Sequence, residues 1–423
     1  MHRDSVDPSS LAATVEPPRC RLCGAPLRSV FVDLGAQPLC ESYLGQADLH
    51  AMEPFYPLRT YVCDECLLVQ AEDFASPEQI FREYAYFSSY SSSWLDHAAQ
   101  FCDASVDRLG LDERSFVVEV ASNDGYLLRN FVRRGIPALG IEPARNVAKV
   151  AIEAGVPTLP EFFGLDVAAR LAETGPRADL LVANNVLAHV PDLHDFVAGI
   201  AALLNDDGVA SLEFAHLLRL MEGRQFDTIY HEHFSYLTLH VVERLLAEHG
   251  LAVIDVEELP THGGSLRVWA AHRGRREELP SVAALRRLEE GSRLHRLEGY
   301  LGFEEAVRSV KRRFLSILIE ASEQGLVVAG YGAPGKGNTL LNFCGVREDL
   351  IRFTVDRNPY KQGRYLPGTH IPIHHPDRLD QERPDLIVIL PWNLRDEIMT
   401  QLDHVRAWGA RFVLPIPEPE IVS

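Results

Sequence analysis

From Phe116 onward the chain alternates short apolar runs with longer stretches in which apolar residues recur every three or four positions. The short runs, Phe116–Val120, Ala138–Ile141, Leu180–Ala183, Gly208–Phe214 and Ala252–Val256, predict strands. The longer stretches, such as Asn146–Ala154 and Asp195–Leu204, predict helices, and the alternation of the two builds a doubly wound α/β sheet. Across 281–325 the pattern changes. Phe303, Val307, Val310, Phe314 and Leu318 share one helical face, and Ser281, following Pro280, is placed to cap the stretch SVAALRRLEE. A second α/β unit opens at Leu326–Tyr331, with strands at Arg352–Val355, Leu386–Leu390 and near Phe412–Leu414. Upstream, Leu95–Leu109 has helical spacing and Phe81–Trp94 is dense in Tyr and Ser. Arg19–Ala71 breaks short aromatic runs with Cys, Pro and Gly, as a small loop-and-hairpin module does, and residues 1–17 show no period. The division expected is 1–74, 75–272 and 273–423.

Length and charge narrow the class. A chain of 423 residues exceeds one ordinary core, and 46% apolar with 24% charged residues is a globular composition. No apolar run reaches the eighteen or so residues of a membrane span, and Met1–Ser10 lacks the apolar centre of a signal peptide. A cytoplasmic location is therefore expected. The net charge of −19 opposes binding to nucleic acid, while leaving room for a local pocket that takes one small anion.

Cysteine changes the picture of the first 74 residues. Cys20-Arg-Leu-Cys23 and Cys63-Asp-Glu-Cys66 are two Cys-x-x-Cys pairs, a spacing at which each pair supplies two thiolates to one tetrahedral zinc. Four protein ligands leave no open position, so the expected role is to hold a small module together. Cys40, Cys102 and Cys344 lack partners of this kind and are expected to pack.

The strand at 117–120 runs into a turn of small residues, Ala121-Ser122-Asn123-Asp124-Gly125, and then into a helical stretch from Tyr126. Such a corner brings backbone amides and a helix start close to a ligand. At the end of the next strand Glu142, followed by Pro143 and Asn146, is placed to accept the two hydroxyls of a ribose. The turn lacks the glycines that hold a pyrophosphate, which points to an adenosyl cofactor without phosphates, S-adenosylmethionine. Glu119, Ala121, Asn123, Asp124, Gly125, Tyr126, Glu142, Pro143, Asn146, Asn184 and Asn185 are the candidate contacts, the last two at the end of the third strand.

Tyr230-His231-Glu232-His233 crowds four reactive side chains into one segment. The i, i+2 histidines lack the shared helical face of a metalloprotease motif. General acid–base chemistry is the other reading: imidazole titrates near neutrality, and a neighbouring carboxylate fixes its tautomer. Methylation at carbon requires such a base, because the carbon beside a ketone must lose a proton before it attacks a methylsulfonium.

Taken in order, the two Cys pairs, Tyr86-Phe87-Ser88-Ser89, EVASNDGYLL, NNVLAHVPD, YHEHFSYLT and GYGAPGKGNTLL give the chain a strong family likeness. It resembles the sugar C-methyltransferases of deoxysugar and antibiotic biosynthesis, such as those of the tetrocarcin and kijanimicin pathways. The resemblance covers almost the whole chain. It implies a zinc module, a central Rossmann-like methyltransferase domain and a C-terminal Rossmann-like α/β domain that helps to hold a nucleotide-sugar. It further implies His233 as the base, with Tyr230 and Glu232 beside it, His189 and Tyr84 facing the sugar, and Tyr86 and Ser88 at the substrate.

The second glycine turn, Gly330-Tyr331-Gly332-Ala333-Pro334-Gly335-Lys336-Gly337-Asn338, would suggest NAD if met alone. Pro334 and Lys336 crowd it, and a lysine beside free amides suits a sugar-nucleotide diphosphate equally well. Tyr331, Gly332, Lys336, Asn338 and Arg357 are therefore expected at the nucleotide, with His262, Ser265 and Arg267 of the HGGSLR segment near the junction of the two α/β units. The expected reaction joins S-adenosylmethionine to a dTDP-linked 4-keto-deoxysugar at C-3, on a monomeric enzyme. Methylation at C-5 of a related sugar, an NAD-linked sugar-nucleotide oxidoreductase and a non-catalytic scaffold are the rival expectations.

Overall fold

The structure is a computed structural model that describes residues 17–74, 89 and 92–422; Tyr84, Tyr86 and Ser88 lie outside the described residues. Three sheets organise it. In the first, β1 (Ser29–Gln37), β2 (Tyr56–Val62) and β3 (Val69–Ala71) form an antiparallel meander. Its fourth strand, β9 (Ser235–Tyr236), comes from the middle of the chain and pairs with β3. The expected hairpin module thus reaches the Tyr-His-Glu-His segment through backbone hydrogen bonds.

The second sheet contains β4 (Val117–Val120), β5 (Ala138–Ile141), β6 (Thr158–Leu159), β7 (Ala178–Asn184), β8 (Leu204–Ala215), β10 (Leu251–Leu259) and β11 (Ser265–His272). Their order is β10-β11-β8-β7-β4-β5-β6, parallel through β6 to β8, with β11 antiparallel to both neighbours. Helices cover both faces, so β4 is buried along its whole length and reads as an unbroken apolar run apart from Glu119. The order of connection reverses between β4 and β7, which opens a crevice beyond their carboxyl ends. Asp192 and Thr238 cap the helices Leu193–Leu203 and Leu239–Glu248, accepting backbone N–H groups. One expectation fails here. Ser265–Arg267, expected as substrate contacts, begin β11, whose seven consecutive buried residues leave no alternation to mark a strand.

The third sheet holds β12 (Val328–Tyr331), β13 (Thr354–Val355), β14 (Ile373–His374), β15 (Leu386–Ile389), β16 (Arg411–Leu414) and β17 (Glu420–Val422), in the order β14-β13-β12-β15-β16-β17. The strands are parallel except β17. Two helices, Pro280–Gly291 and Phe303–Glu323, connect it to the second sheet. The cap position of the first is Leu279, not Ser281, whose hydroxyl instead bonds Asp255. The second buries the predicted stripe Phe303, Val307, Val310, Phe314 and Leu318. Phe31 of β1 stacks on Phe303 with ring centres 4.6 Å apart. That contact belongs to a core shared by the hairpins, the connector and the third sheet, while the cysteine knuckles share a core with the second sheet. Residues 17–74 thus pack against both larger units. Among the described residues no helix is long and apolar enough to cross a membrane.

Candidate active site

The four cysteines of the paired motifs converge, with all four sulfurs within 4.8 Å of one another. Tetrahedral zinc with Zn–S bonds near 2.3 Å places its sulfurs about 3.8 Å apart, so the set fits the ion. Each knuckle closes alike: Gly24 N–H donates to the Cys20 carbonyl and Leu67 N–H to that of Cys63, at 2.8 and 2.9 Å. Gln70 ties the knuckle to the chemistry. Its Nε2 donates to Cys20 Sγ (3.1 Å), its Oε1 accepts Arg21 N–H (3.0 Å), and it pairs in register with Ser235.

Beyond β4, Ala121, Asn123 and Gly125 adopt φ of 52°, 50° and 76°. Two non-glycine residues in this region store local strain of the kind that concentrates at functional sites. Gly125 cannot be replaced cheaply, because a Cβ would stand 2.9 Å from Val156. Glu142 is buried and holds the turn, accepting Asn123 N–H at 3.0 Å and Ala144 N–H at 2.8 Å on separate oxygens. Each oxygen keeps a second lone pair for a ribose hydroxyl. Burial pushes the Glu142 carboxyl up, and burial together with the Glu142 and Asp124 charges pushes Glu119 well above the usual carboxylate range. Among the described residues Glu119 Oε2, Asp124 Oδ1 and Asn184 Oδ1 are buried without a hydrogen-bond partner. Such acceptors call for donors. The ammonium group and ribose hydroxyls of S-adenosylmethionine are donors of that kind. Tyr126 is buried against Trp94, Asn185 takes φ of 55° at the end of β7, Pro143 is half-buried and Asn146 is exposed on the following helix.

The segment 226–236 sets the second half of the site. His233 Nδ1 lies 2.7 Å from the Thr228 carbonyl, and His189 Nδ1 lies 2.7 Å from the Glu232 carbonyl. A carbonyl only accepts, so both Nδ1 atoms carry the hydrogen, and in His233 the basic lone pair is on Nε2. The two imidazoles are 4.6 Å apart and Tyr230 packs 4.0 Å from His233. Burial lowers His233 well below the ordinary histidine value, with His189 adding to the effect, and burial lowers His189 to about 4.

His231 points the other way, its Nε2 3.1 Å from the Pro57 carbonyl, so the two histidines of the segment share no metal. Glu232 also departs from expectation. Its carboxyl is buried beside Cys40 Sγ (3.8 Å) and pushed up to about 8 by burial and the charge of Glu41. A backbone carbonyl, not Glu232, orients His233.

The HGGSLR segment divides. His262, at φ 55°, is open to solvent on one side yet deep in the cleft beside Trp94, and burial followed by Lys336 lowers it to about 4. Ser265 and Arg267 are not available to substrate. Ser265 Oγ donates to the Thr261 carbonyl (3.0 Å), and Arg267 is buried between Glu213 (2.7 Å) and Glu257 (3.1 Å). Glu213 was missed by sequence reasoning, as were His97 at 3.2 Å and Trp94, which stacks on His97. A charged residue inside the apolar run SLEFA was the available signal.

The second glycine turn is already occupied from within. Glu41 Oε1 accepts Gly335 N–H (3.0 Å), the Cys40 carbonyl accepts from Asn338 Nδ2 (2.6 Å), and Tyr43 Oη donates to the Ala333 carbonyl (2.5 Å). Asp356 accepts Ala333 N–H (2.7 Å) and Asn358 N–H (2.8 Å) on separate oxygens, the arrangement that Glu142 has in the first corner. Tyr331 Oη lies 3.4 Å from Gln401, Gly332 is wedged against Pro391 and Arg357 is exposed. The expected phosphate cradle at this turn is thus filled by the chain's own carboxylate. Lys336 alone of that set leaves the turn, donating to Asn393 Oδ1 (2.6 Å) over the face of Trp392.

Comparison with known proteins accords with this geometry. Residues 94–256 match a methyltransferase domain, 20–81 a zinc binding domain, and 260–417 the C-methyltransferase C-terminal domain. Over 405 residues the chain is 36% identical to C-methyltransferase NovU of Streptomyces niveus, covering 96% of each protein. The chain belongs to this C-methyltransferase family. The C-methyltransferase therefore draws its methyl group from S-adenosylmethionine and carries zinc on its four cysteines. Over 156 residues it is also 24% identical to the ubiquinone biosynthesis O-methyltransferase of Bartonella quintana, covering 33% of this chain and 61% of that one. A solved magnesium protoporphyrin IX methyltransferase from Synechocystis PCC 6803 is 16% identical over 43% of this chain and 81% of its own, with a TM-score of 0.31.

Proposed function

We propose that this C-methyltransferase methylates the carbon beside the ketone of a nucleoside-diphosphate 4-keto-deoxysugar, dTDP-linked and at C-3, in deoxysugar and antibiotic biosynthesis. The observation that carries the proposal is His233, an imidazole whose Nε2 lone pair is left basic because Thr228 holds its Nδ1 hydrogen. When bound, S-adenosylmethionine supplies an electrophilic methyl group. The protein's own part is to remove the proton that makes the sugar carbon a nucleophile. His233 Nε2 takes that proton, and Tyr230 and His189 line the same face of the cleft. Glu232 supports the site through its backbone and through Cys40. Tyr84, Tyr86 and Ser88 complete the sugar pocket in the same proposal. Glu142 and the turn 121–125 hold the adenosyl moiety, with Glu119, Asp124 and Asn184 toward its amino end. The working boundaries at 74 and 272, a monomeric state and a cytoplasmic setting belong to the proposal as well.

Replacing His233 with Asn keeps the size of the side chain and removes the base. Turnover should fall by about 10² to 10⁴ while calorimetry still detects S-adenosylhomocysteine and dTDP. Unchanged turnover would remove His233 from the mechanism. Product NMR locates the new methyl, C-3 against C-5.

A further inference from the structure

One half-buried cation has no role in the scheme above. Lys336 is the second residue of the helix Gly335–Cys344, in the C-terminal unit, and its ammonium is held beside a tryptophan that reaches the central domain. It donates to Asn393 Oδ1 at 2.6 Å and lies 4.6 Å from the centre of the Trp392 ring. Trp392 donates Nε1 to Asp227 Oδ2 at 2.6 Å, one residue before the Thr228 whose carbonyl orients His233. The same indole packs on the turn that carries His262, since a Cβ on Gly263 would approach Trp392 Cη2 to 2.7 Å. The indole on which Lys336 rests thereby touches both the loop of the base and the loop of His262. Its charge is among the causes that lower both imidazoles, after burial in each case.

An ammonium beside a histidine base opposes protonation of that base. It is useful where the same step places negative charge on a neighbouring atom. Removal of a proton alpha to a ketone does so: the C–H pair becomes the C=C bond, the carbonyl π pair moves to oxygen, and the proton goes to His233 Nε2. A neutral imidazole is far weaker as a base than the enolate it generates, so the oxygen needs a preorganised positive partner. Asn393 uses one of the three Nζ hydrogens, leaving others to point at that oxygen. Asp227, fully buried with Oδ1 unpartnered among the described residues, balances the charge from behind the indole.

We propose that Lys336 is a catalytic residue that receives the enolate oxygen, with Asn393 and Trp392 as its positioning residues. In the second half-reaction the enolate carbon takes the methyl group, the carbon–sulfur pair returns to sulfur, and the ketone reforms as the oxygen leaves the ammonium. The inference rests on the keto-sugar reading of the site.

The test is hydrogen exchange in deuterium oxide, with dTDP-4-keto-6-deoxyglucose as the probe and S-adenosylhomocysteine completing the site, read by NMR at the carbon beside the ketone. Wild type should exchange, and Lys336→Met should lose exchange and methyl transfer together by about 10²-fold or more, the effect of removing one oxyanion donor. KM for the sugar and affinity for S-adenosylhomocysteine should stay put, and Lys336→Arg should recover part of the exchange. If Lys336→Met lowers the thermal midpoint, Asn393→Ala decides the matter: the lysine remains but is unaimed, and exchange should fall several-fold. Exchange that survives in Lys336→Met or Asn393→Ala while KM rises would overturn the proposal and make Lys336 a phosphate ligand. Failure of wild type to exchange or methylate overturns the keto-sugar reading instead, and the two failures are separable because His233→Asn is run alongside.

Discussion

The molecule contains two strand–turn–helix corners built on one plan, and among the described residues they differ in what stands before them. In each, a central parallel strand ends in a turn of small residues, and an acid at the end of the neighbouring strand reaches back to a turn amide. Glu142 accepts from Asn123 and Ala144 in the first corner; Asp356 accepts from Ala333 and Asn358 in the second. The first leaves Glu119, Asp124 and Asn184 oxygens buried and unmatched among the described residues. At the second, Glu41 sits on the helix N–H, Tyr43 and Lys361 both donate to the Ala333 carbonyl, and Asn338 is tied to Cys40, keeping one unmatched oxygen. A glycine turn facing an acid describes a corner that can take a nucleoside. Whether it does depends on what the rest of the chain places in front of it.

Removing zinc should disturb this contrast most. The metal module carries both the Glu41 plug and β3, which pairs beside His233. Apparent zinc-binding energies of about 10 kcal/mol are folding energy in such modules, so a chelator or Cys63→Ser should abolish methyl transfer. Affinity for S-adenosylhomocysteine should change far less, and equal loss of both would show that the first corner also depends on the module. Next in size, Glu142→Ala removes a charged acceptor of the ribose hydroxyls. At about 1.5–3 kcal/mol per charged hydrogen bond, binding of S-adenosylhomocysteine in a calorimeter should weaken by about 10²-fold. Asp356→Ala should leave that affinity unchanged and lower the thermal midpoint.

A smaller effect is expected from Glu41→Gln, which keeps the shape of the plug and removes its charge from the helix start. The cost should be about 0.3–2 kcal/mol by denaturant titration. Glu41→Gly should go further and let pyrophosphate bind where wild type takes none; pyrophosphate binding at Gly335 in wild type would end the comparison. The smallest effect is in pH. The His233 environment lowers its pKa below the ordinary value of about 6.5, so the neutral base persists as pH falls through that range. Turnover should stay flat from about pH 8 to 6, and an acid limb centred near 6.5 would contradict the burial of the base.

Much of the fold was legible because apolar period and backbone geometry are local. The strands at 117–120, 138–141 and 180–183, the stripe from Phe303 to Leu318 and the two cysteine pairs are all visible one segment at a time. Strand β11 was not visible, because a strand buried on both faces has no alternation, and its Arg267 was mistaken for an exposed ligand. Residue chemistry likewise marked Tyr230 and His233 as a cluster, the resemblance added His189, and the rings do meet.

What the sequence determined by itself is therefore most of the elements, the zinc ligands, the strand–turn–acid pattern of the first corner and the clustering of Tyr230 with His233. Only the tertiary structure decided that Glu232 turns to Cys40, that Glu41 closes the second corner and that Lys336 leaves its turn for Asn393 and Trp392. The reason is physical: period and turn chemistry are set by neighbours along the chain, whereas a side chain 294 residues from the amide it caps is placed by packing that no local pattern records.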